Sequence, residues 1–357
     1  MTIEKLQIKD FRNIEKAELA PIAGVNIICG ENASGKSSLL EAIHLLLTSK
    51  SFRSSKTEVV IRKEQNKLQV ISKLKKDNLG KVLGIEKYKN ITTIRYAGES
   101  VSSAAKLASI QPVVLLTPES HQLIVGGPAY RRKFLDWLLF HVEQSYYENW
   151  CAYNKVLKQR NAILRKRKVT ADLFVWDEKL IQAGNSLNKH RKVIVSRFIN
   201  KLKEKTSNYC EFPIELRYEC GWGDLELSEV IEKGRDKDVV VGYTRKGPHR
   251  ADLIITTQEQ PASQVLSRGQ TKLLAAALEV SKITLLKEIT GKSAIILVDD
   301  LAAELDAERK EKITEMLSSL DMQQFITATE SKLLPKQILN NSKMFHVEHG
   351  KFQEVVY

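Results

Sequence analysis

Cysteine and long apolar runs are both scarce in this chain of 357 residues. Its four cysteines form no C-x-x-C pair and have no histidine-rich neighbourhood, so nothing in the pattern indicates a zinc site. Ordinary thiols of a reducing cytosol are the simpler interpretation. No stretch approaches the ~20 apolar residues that cross a bilayer, and the charged N-terminal segment lacks the apolar centre of a signal peptide. We therefore expect a cytoplasmic protein without a membrane partner.

Acidic residues are outnumbered, with 43 Asp or Glu against 56 Lys or Arg and a net charge of +13. This excess favours an anionic partner such as nucleic acid or a phosphorylated ligand, although a solvated basic surface is the alternative. Residues 131–205 hold 18 basic and 7 acidic residues, which nearly accounts for the whole excess. The candidate anion-binding residues are the dense clusters in this region, namely Arg131, Arg132 and Lys133, and Arg165 and Arg167.

The periodicity of the chain predicts an α/β protein with a helical insertion. Short alternating or β-branched runs predict strands across residues 2–116, including 58–63, and a helix interrupts them at 36–48. From Pro128 to about residue 205, apolar residues recur at helical spacing. Strands resume after residue 211, including 239–245, 293–298 and 324–329. We predict a head of residues 1–120 and 211–357 with an inserted helical arm at 121–210, and no long coiled coil.

The clearest motif is "GENASGKSS", residues 30–38, which matches G-x-x-x-x-G-K-S between an apolar strand and an apolar-periodic helix. Gly30 and Gly35 allow backbone N–H groups to surround phosphate oxygens at the helix N-terminus. Lys36 is placed to reach the β- and γ-phosphates, and the Ser37 hydroxyl is placed to bind Mg²⁺. The candidate nucleotide-binding residues of this loop are Gly30, Glu31, Asn32, Ala33, Ser34, Gly35, Lys36, Ser37 and Ser38.

A second element is the apolar strand "SAIILV" followed by Asp299 and Asp300. A buried parallel strand delivers Asp299 to the sheet edge where α/β proteins bind ligands, and a carboxylate there helps to hold Mg²⁺. Asp300 is a candidate to orient the attacking water or accept its proton. Alone, this pair is equally explained by a turn or a helix cap, but together with the phosphate loop it indicates nucleotide hydrolysis.

A third element, "LSRGQ" at residues 266–270, precedes a long helical pattern. Glycine inside a helix costs roughly 1 kcal/mol relative to alanine, so Gly269 at this position calls for an explanation. The helix N-terminus, the Gly269 amide and the Ser267 hydroxyl together suit an anion.

These segments, with "ELD" at 304–306, resemble the ATP-binding-cassette ATPases. Within that group, the chain resembles the RecF family, which is related to the heads of structural-maintenance-of-chromosomes and double-strand-break-repair ATPases. The resemblance covers nearly the whole chain and includes "DFRNIEKAELA", "SFRS", "LLTPESHQLIVGGPAYRRKFLD", "YNKVLKQRNAILR" and "GPHRADL". It implies an ATPase head of the ATP-binding-cassette type with mixed sheets.

The resemblance also implies roles for individual residues. Two heads would enclose ATP and Mg²⁺, with Ser267, Arg268, Gly269 and Gln270 of one subunit facing the γ-phosphate held by Lys36 of the other. Asp299 would be the magnesium-associated carboxylate and Asp300 the catalytic base. Asp306 would lie at the dimer interface, and Arg12 and Asn13 near the nucleotide. Glu119 is a candidate link between the nucleotide site and the arm, or an ordinary loop carboxylate.

The chain departs from the wider pattern at several positions. Arg268 stands where the superfamily usually has glycine, which argues against a transporter subunit. Asp300 is one methylene shorter than the usual glutamate, which predicts slow turnover. Ala251 replaces the first acid of a G-P-H-R-D-D segment. No histidine follows the last sheet strand, and Thr327 and Thr329 are weak candidates to sense the γ-phosphate.

The resemblance implies an ATP-dependent DNA-binding protein of recombinational repair and replication-fork maintenance, with weak, DNA-stimulated ATPase activity. ATP would drive homodimerisation on double-stranded or gapped DNA. Partnership with RecR, and through it with RecO and RecA, would promote RecA loading. The alternative is a transport ATPase subunit, for which we find no convincing set of accompanying motifs. A nuclease would need a further acidic metal-binding domain, and a pure scaffold would not need Lys36, Asp299 and Asp300.

Overall fold

A computed structural model describes residues 1–77, 79–89, 91–300, 305–330 and 334–355 of the chain. The backbone divides into two units, the first formed by Met1–Ser120 and Thr290–Tyr357 and the second by His121–Ile289. The strands are β1 Thr2–Phe11, β2 Ile14–Leu19, β3 Val25–Cys29, β4 Lys67–Lys76, β5 Leu79–Tyr88, β6 Ile91–Tyr96, β7 Glu99–Ser100, β8 Val113–Leu116, β9 Glu215–Glu219, β10 Asp252–Thr257, β11 Gln260–Pro261, β12 Ile295–Val298, β13 Gln324–Ala328, β14 Ser342–Glu348 and β15 Lys351–Val355. The helices are α1 Lys36–Thr48, α2 Thr57–Val60, α3 Ala104–Ile110, α4 Gln122–Val125, α5 Pro128–Val142, α6 Tyr146–Leu164, α7 Ala171–Tyr209, α8 Leu227–Val241, α9 Ala262–Val265, α10 Arg268–Thr290, α11 Ala307–Ser318 and α12 Lys336–Leu339.

The first unit contains two six-stranded sheets. One is antiparallel, in the order β2-β1-β4-β5-β6-β7. The other has the order β15-β14-β3-β13-β12-β8, in which β14, β3, β13, β12 and β8 are parallel and β15 is antiparallel. The side chains of β12 and β13 are buried throughout, as expected for parallel strands covered on both faces.

Helix α1 is buried because it contacts strands of both sheets in the first unit. It is apolar on most sides, and Leu39, Leu40, Ile43 and Leu46 each have almost no exposed surface. These residues join one hydrophobic cluster with alternating apolar residues of β1, such as Leu6. The phosphate loop at the start of α1 is therefore anchored on a rigid core.

The second unit combines the predicted helices with a small sheet. Helix α7 is 39 residues long and packs along α6 and α8. Arg160 of α6 is fully buried and donates to Asp177 of α7 at 2.6 Å and to Asp238 of α8 at 2.9 Å. Two charge-assisted hydrogen bonds to different helices thus fix the three helices to one another.

The unit boundary falls later than the predicted return to the head at residue 211. Strands β9, β10 and β11 pair only with one another among the described residues, and they belong with the helices of the second unit. Chain order alone does not reveal this sheet partition. The domain division at 121–210 stays a prediction.

Two strand predictions are wrong. Residues 58–63 begin in the short helix α2, after which Ile61 forms an isolated bridge with Phe11. Residues 239–241 are the last turn of α8, which ends at Gly242 with a left-handed φ of 80°. A β-branched run at the end of an amphipathic helix has the composition of a strand, and the glycine cap decides the outcome. The predicted helix at 36–48 is confirmed with the same bounds.

Candidate nucleotide-binding site

Three neighbouring parallel strands bring the predicted nucleotide residues together in the first unit. The phosphate loop follows β3, Asp299 and Asp300 follow β12, and Thr327 lies near the end of β13, which is between them. Carboxyl ends of parallel strands form the usual ligand-binding edge of such sheets. The resulting cleft has a volume of about 940 Å³, and its lining includes Asn32, Ala33, Gly35, Lys36, Ser37, Ser38, Asp299, Asp300 and Thr327.

The loop backbone depends on its two glycines for different reasons. Gly35 has a φ of 124°, a conformation that other residues rarely adopt. At Gly30 the constraint is space, because an added Cβ would lie 2.3 Å from the carbonyl oxygen of Val347. The loop is also tied to the end of the sheet, since the Gly350 amide donates to the Ser34 carbonyl at 2.7 Å.

Lys36 lies inside the loop. Its Nζ donates to the carbonyl oxygens of Gly30 at 2.6 Å and Glu31 at 2.7 Å, and the residue is buried. Burial lowers the pKa of the Lys36 ammonium, an effect opposed by the charges of Asp300 and Asp299. These carbonyl oxygens carry no formal charge, so they do not neutralise the ammonium that a phosphate would meet.

A chain of hydrogen bonds joins the three strand ends. Ser37 Oγ donates to Asp299 Oδ1 at 2.8 Å, and Thr327 Oγ1 donates to the same oxygen at 3.0 Å. The backbone amide of Asp300, which has a φ of 52°, donates to Thr327 Oγ1 at 2.8 Å. A hydroxyl beside a carboxylate is the hard oxygen set that Mg²⁺ prefers, so Ser37 and Asp299 fit this ion. Thr327 positions both acidic residues, a role that its sequence context did not suggest.

Arg12 and Asn13 lie on the rim of the cleft. Asn13 donates to the carbonyl oxygens of Ala33 and Ser34 and accepts from Ser38 Oγ at 2.9 Å. Arg12 forms a bidentate pair with the buried carboxylate of Glu41 on α1, at 2.7 and 3.0 Å, and donates to the Val59 carbonyl. Asn13 therefore braces the phosphate loop, and Arg12 joins α1 to the segment around α2.

Sequence reasoning missed part of the cleft. Its remaining wall comes from the segment around α2, with Arg53, Glu58, Val59, Ile61, Arg62 and Lys63. The segment "SFRS" carried the family resemblance, but nothing in its local pattern indicated that it lies beside the phosphate loop. This proximity comes from tertiary contacts, such as the 2.9 Å hydrogen bond from the Arg12 amide to the Val60 carbonyl.

The "LSRGQ" segment belongs to the second unit and begins helix α10. The Ser267 amide donates to Gln270 Oε1 at 2.9 Å, and the Gln270 amide donates to Ser267 Oγ at 3.3 Å. This reciprocal pair is a capping box, which the spacing S-x-x-Q signals and the sequence reasoning overlooked. Ser267 and Arg268 are exposed, and Gly269 lies in the first turn.

Other predicted residues lie outside the cleft. Asp306 caps α11 by accepting from the Arg309 amide at 2.9 Å, while Glu304 lies outside the described residues. Glu119 is exposed in a short 3₁₀ turn, and Thr329 is half-buried just after β13.

The basic residues of the second unit separate into two groups. Arg131 forms a bidentate pair with Asp252 at 2.7 and 2.9 Å, and Arg132 donates to the carbonyl of buried Ala251 at 2.8 Å. These two arginines hold α5 to the start of β10. Lys133, Arg165 and Arg167 are instead exposed.

The "GPHR" segment contains a partly buried chain of hydrogen bonds. His249 Nε2 lies 3.0 Å from the Thr244 carbonyl, which can only accept, so Nε2 carries the proton. Nδ1 then accepts from the Tyr153 hydroxyl at 2.7 Å. Burial lowers the pKa of His249 to about 4.

In the part of the chain that is described, none of the helices has the length and apolar character needed to cross a membrane.

Comparisons with known proteins show the family of this chain. The family model described as the RecF/RecN/SMC N terminal domain matches residues 2–353. The DNA replication and repair protein RecF of Vibrio atlanticus (strain LGP32) is 36% identical over 362 residues, covering 99% of this chain and 100% of that protein. The chain belongs to the RecF family.

Solved structures of similar proteins have the same fold as this chain. A structure of the recombination mediator protein RecF-ATP in the RecFOR pathway matches with a TM-score of 0.87 and 28% identity, covering 99% of this chain and 97% of that one. An SmcHead bound to the C-winged helix domain of ScpA matches with a TM-score of 0.61 at 15% identity, which shows a shared fold alone. The expected α/β ATPase head of the ATP-binding-cassette type, with mixed sheets, is confirmed.

Proposed function

We propose that this RecF-family chain is an ATPase of DNA repair and recombination that uses ATP as a conformational switch. The observation that carries the proposal is the convergence of Lys36, Ser37 and Asp299 on one cleft, beside a loop whose backbone requires glycine at positions 30 and 35. A relative described as RecF-ATP, with the same fold, supports ATP as the nucleotide.

Ser37 and Asp299 would hold Mg²⁺ together with the nucleotide phosphates. When bound, this ion supplies charge neutralisation at the β- and γ-phosphates. Lys36 would exchange its carbonyl partners for phosphate oxygens, and the loop amides would orient the γ-phosphate. Asp300 would orient the attacking water or accept its proton, while Thr327 holds the Asp300 amide and the Asp299 carboxylate in place. The shorter Asp300 side chain favours slow hydrolysis.

A second copy of the chain would complete the nucleotide-binding site. The proposed contribution in trans comes from Ser267, Arg268, Gly269 and Gln270, where the N-terminus of α10 offers an exposed hydroxyl. Asp306 would lie at the same interface. ATP binding would thus favour the dimer, and hydrolysis would release it.

The anionic partner proposed for the dimer is double-stranded or gapped DNA. Exposed Lys133, Arg165 and Arg167 are the retained candidates for phosphate contacts, whereas Arg131 and Arg132 already serve internal contacts. Relatives described as RecF in the RecFOR pathway support partnership with RecR, and through it with RecO, in promoting RecA loading.

The molecular mass in solution tests this function. Mass is measured by light scattering with no nucleotide, with ADP and with ATP, each with duplex, gapped and single-stranded DNA. We expect a monomer that becomes a dimer with ATP and whose dimer is stabilised by duplex or gapped DNA. A mass that does not respond to ATP under any of these conditions would refute the switch.

A further inference from the structure

A second cleft, of about 1020 Å³, lies within the second unit and shares no residue with the nucleotide cleft. Its walls come from three segments, which are the middle of α7, the end of β9 with the loop after it at 217–226, and the loop between α8 and β10 at 243–250. The Gly247 amide donates to the Gly221 carbonyl at 3.3 Å and joins the two loops. The "GPHR" segment therefore belongs to the wall of a cleft, and the proposed ATPase function assigns it no task.

Two of these walls carry basic side chains that form no ion pair in the described part of the chain. Lys192 of α7 and Lys246 and Arg250 of the second loop are exposed, and none of them has an ion pair among the residues that the structure describes. Arg217 and Arg245, in contrast, are already paired, with Glu219 at 2.8 Å and Asp238 at 3.0 Å. The acidic residues Asp224 and Glu226 belong to the first loop. The positive charge of the cleft therefore comes from the other two walls, which are α7 and the second loop.

An aromatic ring is available next to these cations. Tyr243 is 45% exposed, and the guanidinium of Arg250 lies 5.7 Å from its ring centroid. The two other large rings of the cleft are Tyr218, which is half-buried, and Trp222, which is buried and donates to the Leu225 carbonyl. An exposed aromatic face flanked by cations is the usual arrangement for binding single-stranded nucleic acid, because bases stack on the ring while the cations contact the backbone.

Helix α7 adds amide groups to the same cleft. Asn188 is 8% exposed, and its Oδ1 is buried without a hydrogen-bond partner in the described part of the chain. A buried acceptor without a partner destabilises the protein, so a donor supplied by a ligand would be favourable. Asn185, about one helical turn away, is exposed in the same cleft. Amide side chains pair with base edges once the bases are unstacked.

We propose that this cleft is a binding site for a short segment of single-stranded DNA. Lys192, Lys246 and Arg250 contact phosphates, Tyr243 stacks on a base, and Asn185 and Asn188 contact base edges. A duplex keeps its bases stacked inside and offers none to Tyr243. An acidic peptide matches the cations but supplies no planar base. The inference rests on the proposed DNA-binding function and assigns it a second site, distinct from Lys133, Arg165 and Arg167.

The test is binding of a fluorescently labelled oligothymidylate to the full chain without ATP, measured by anisotropy over a range of salt concentrations. Tyr243→Ala should weaken binding about tenfold, and Tyr243→Phe should restore it, because stacking needs the ring and not the hydroxyl. The double variant Lys246→Ala/Arg250→Ala should lower the slope of log K against log salt by about 1.4. Lys189→Ala and Lys237→Ala, exposed lysines outside the cleft, are the matched controls.

Several outcomes overturn the proposal. These are failure of the wild-type chain to bind the oligonucleotide at low salt, equal binding by Tyr243→Ala and wild type, or displacement of the strand by a poly-glutamate peptide more readily than by unlabelled strand. Photo-crosslinking of a 4-thiothymidine strand adds a direct readout, since its adducts should map to residues 219–226 or 243–250. If Tyr243→Ala does not fold, binding of the oligonucleotide by Lys246→Glu alone still tests the proposal. Failure of the ATP-driven dimer in the mass measurement leaves this nucleotide-free measurement unaffected, so the two proposals fail separately.

Discussion

The Ser37 hydroxyl donates a 2.8 Å hydrogen bond to Oδ1 of Asp299, although 262 positions separate the two residues in the chain. Strand β13 lies between β3, which precedes the phosphate loop, and β12, which precedes Asp299, and its Thr327 donates to the same carboxylate oxygen. The proposed magnesium pair is therefore held in place from a third strand. Preorganisation of this kind reduces the rearrangement that binding requires.

Thr327→Val should slow ATP hydrolysis while leaving ATP binding largely unchanged. The valine has the same shape but removes the hydrogen bonds that join Thr327 to the Asp299 carboxylate and to the Asp300 amide. Because Thr327 is fully buried, we also expect a loss of roughly 1–3 kcal/mol in the free energy of unfolding. Turnover and nucleotide affinity are measured separately. Thr327→Ser, which keeps the hydroxyl, should retain both, and slow turnover in the serine variant would contradict the positioning role.

Lys36→Met should weaken ATP binding by roughly ten- to a hundredfold, since a charge-assisted contact to phosphate is lost. The ATP-driven increase in mass should disappear at moderate ATP concentration. Lys36→Arg keeps the charge but places a larger, planar group in a buried position, so it should bind poorly as well. Equilibrium dialysis and light scattering measure the two effects. ATP-dependent dimers of normal stability in both variants would disprove the role of Lys36.

Ser267→Arg should leave ATP binding by the monomer intact and block the ATP-driven dimer. The side chain is exposed, and its proposed phosphate lies on the partner subunit. Loss of the capping box will also destabilise α10, by about 1 kcal/mol. Ser103→Ala is the matched control, because it removes the side-chain cap of α3 that accepts from the Lys106 amide. The control should lose similar stability and still dimerise. If Ser267→Arg abolishes ATP binding by the monomer, the in-trans assignment is wrong.

Local patterns were sufficient for the elements that carry the nucleotide chemistry. The bounds of α1, the apolar strand before Asp299 and the glycines at 30 and 35 all follow from short-range rules on periodicity and phosphate loops. Each of these features depends on residues within about ten positions. Their meeting at one sheet edge then follows from the general behaviour of parallel strands.

The remaining parts of the site depend on contacts between distant segments, which no local pattern encodes. Arg131 has the composition of a DNA-contacting residue, yet Asp252 neutralises it from 121 positions away. Similarly, contacts between distant segments hold the wall around α2 beside the phosphate loop, and one of them is Arg12, which joins Glu41 to the Val59 carbonyl. Exposure, rather than charge alone, separates Arg165 and Arg167 from Arg131 as candidates for binding DNA.

Arg165→Glu/Arg167→Glu should lower the affinity for duplex DNA and reduce the salt slope of binding by about 2, if both arginines contact phosphates. Both side chains are exposed, so we expect the free energy of unfolding to change little. Affinity is measured by fluorescence anisotropy at several salt concentrations with ATP present. Lys189→Glu/Lys237→Glu carries the same charge change at exposed positions outside the cluster. Equal losses in the two double variants would indicate a general charge effect and no specific contact.

His249 should make stability fall as the pH falls from 6.5 to about 4. Its pKa is about 4 in the folded chain because of burial, against an ordinary value of 6.5, so the unfolded chain binds the extra proton in this window. Backbone bonding to Thr244 and the charge of Asp238 oppose this shift, while Arg250 and Arg132 add to it. We expect His249 to contribute roughly 2 kcal/mol of the stability lost between pH 7.5 and pH 5. Urea unfolding at each pH measures this loss.

His249→Gln is the control variant, because it can still donate to the Thr244 carbonyl and accept from Tyr153 but does not titrate. Its loss of stability over the same pH range should be smaller by about that amount. An identical pH dependence in the glutamine variant would show that other groups control acid stability.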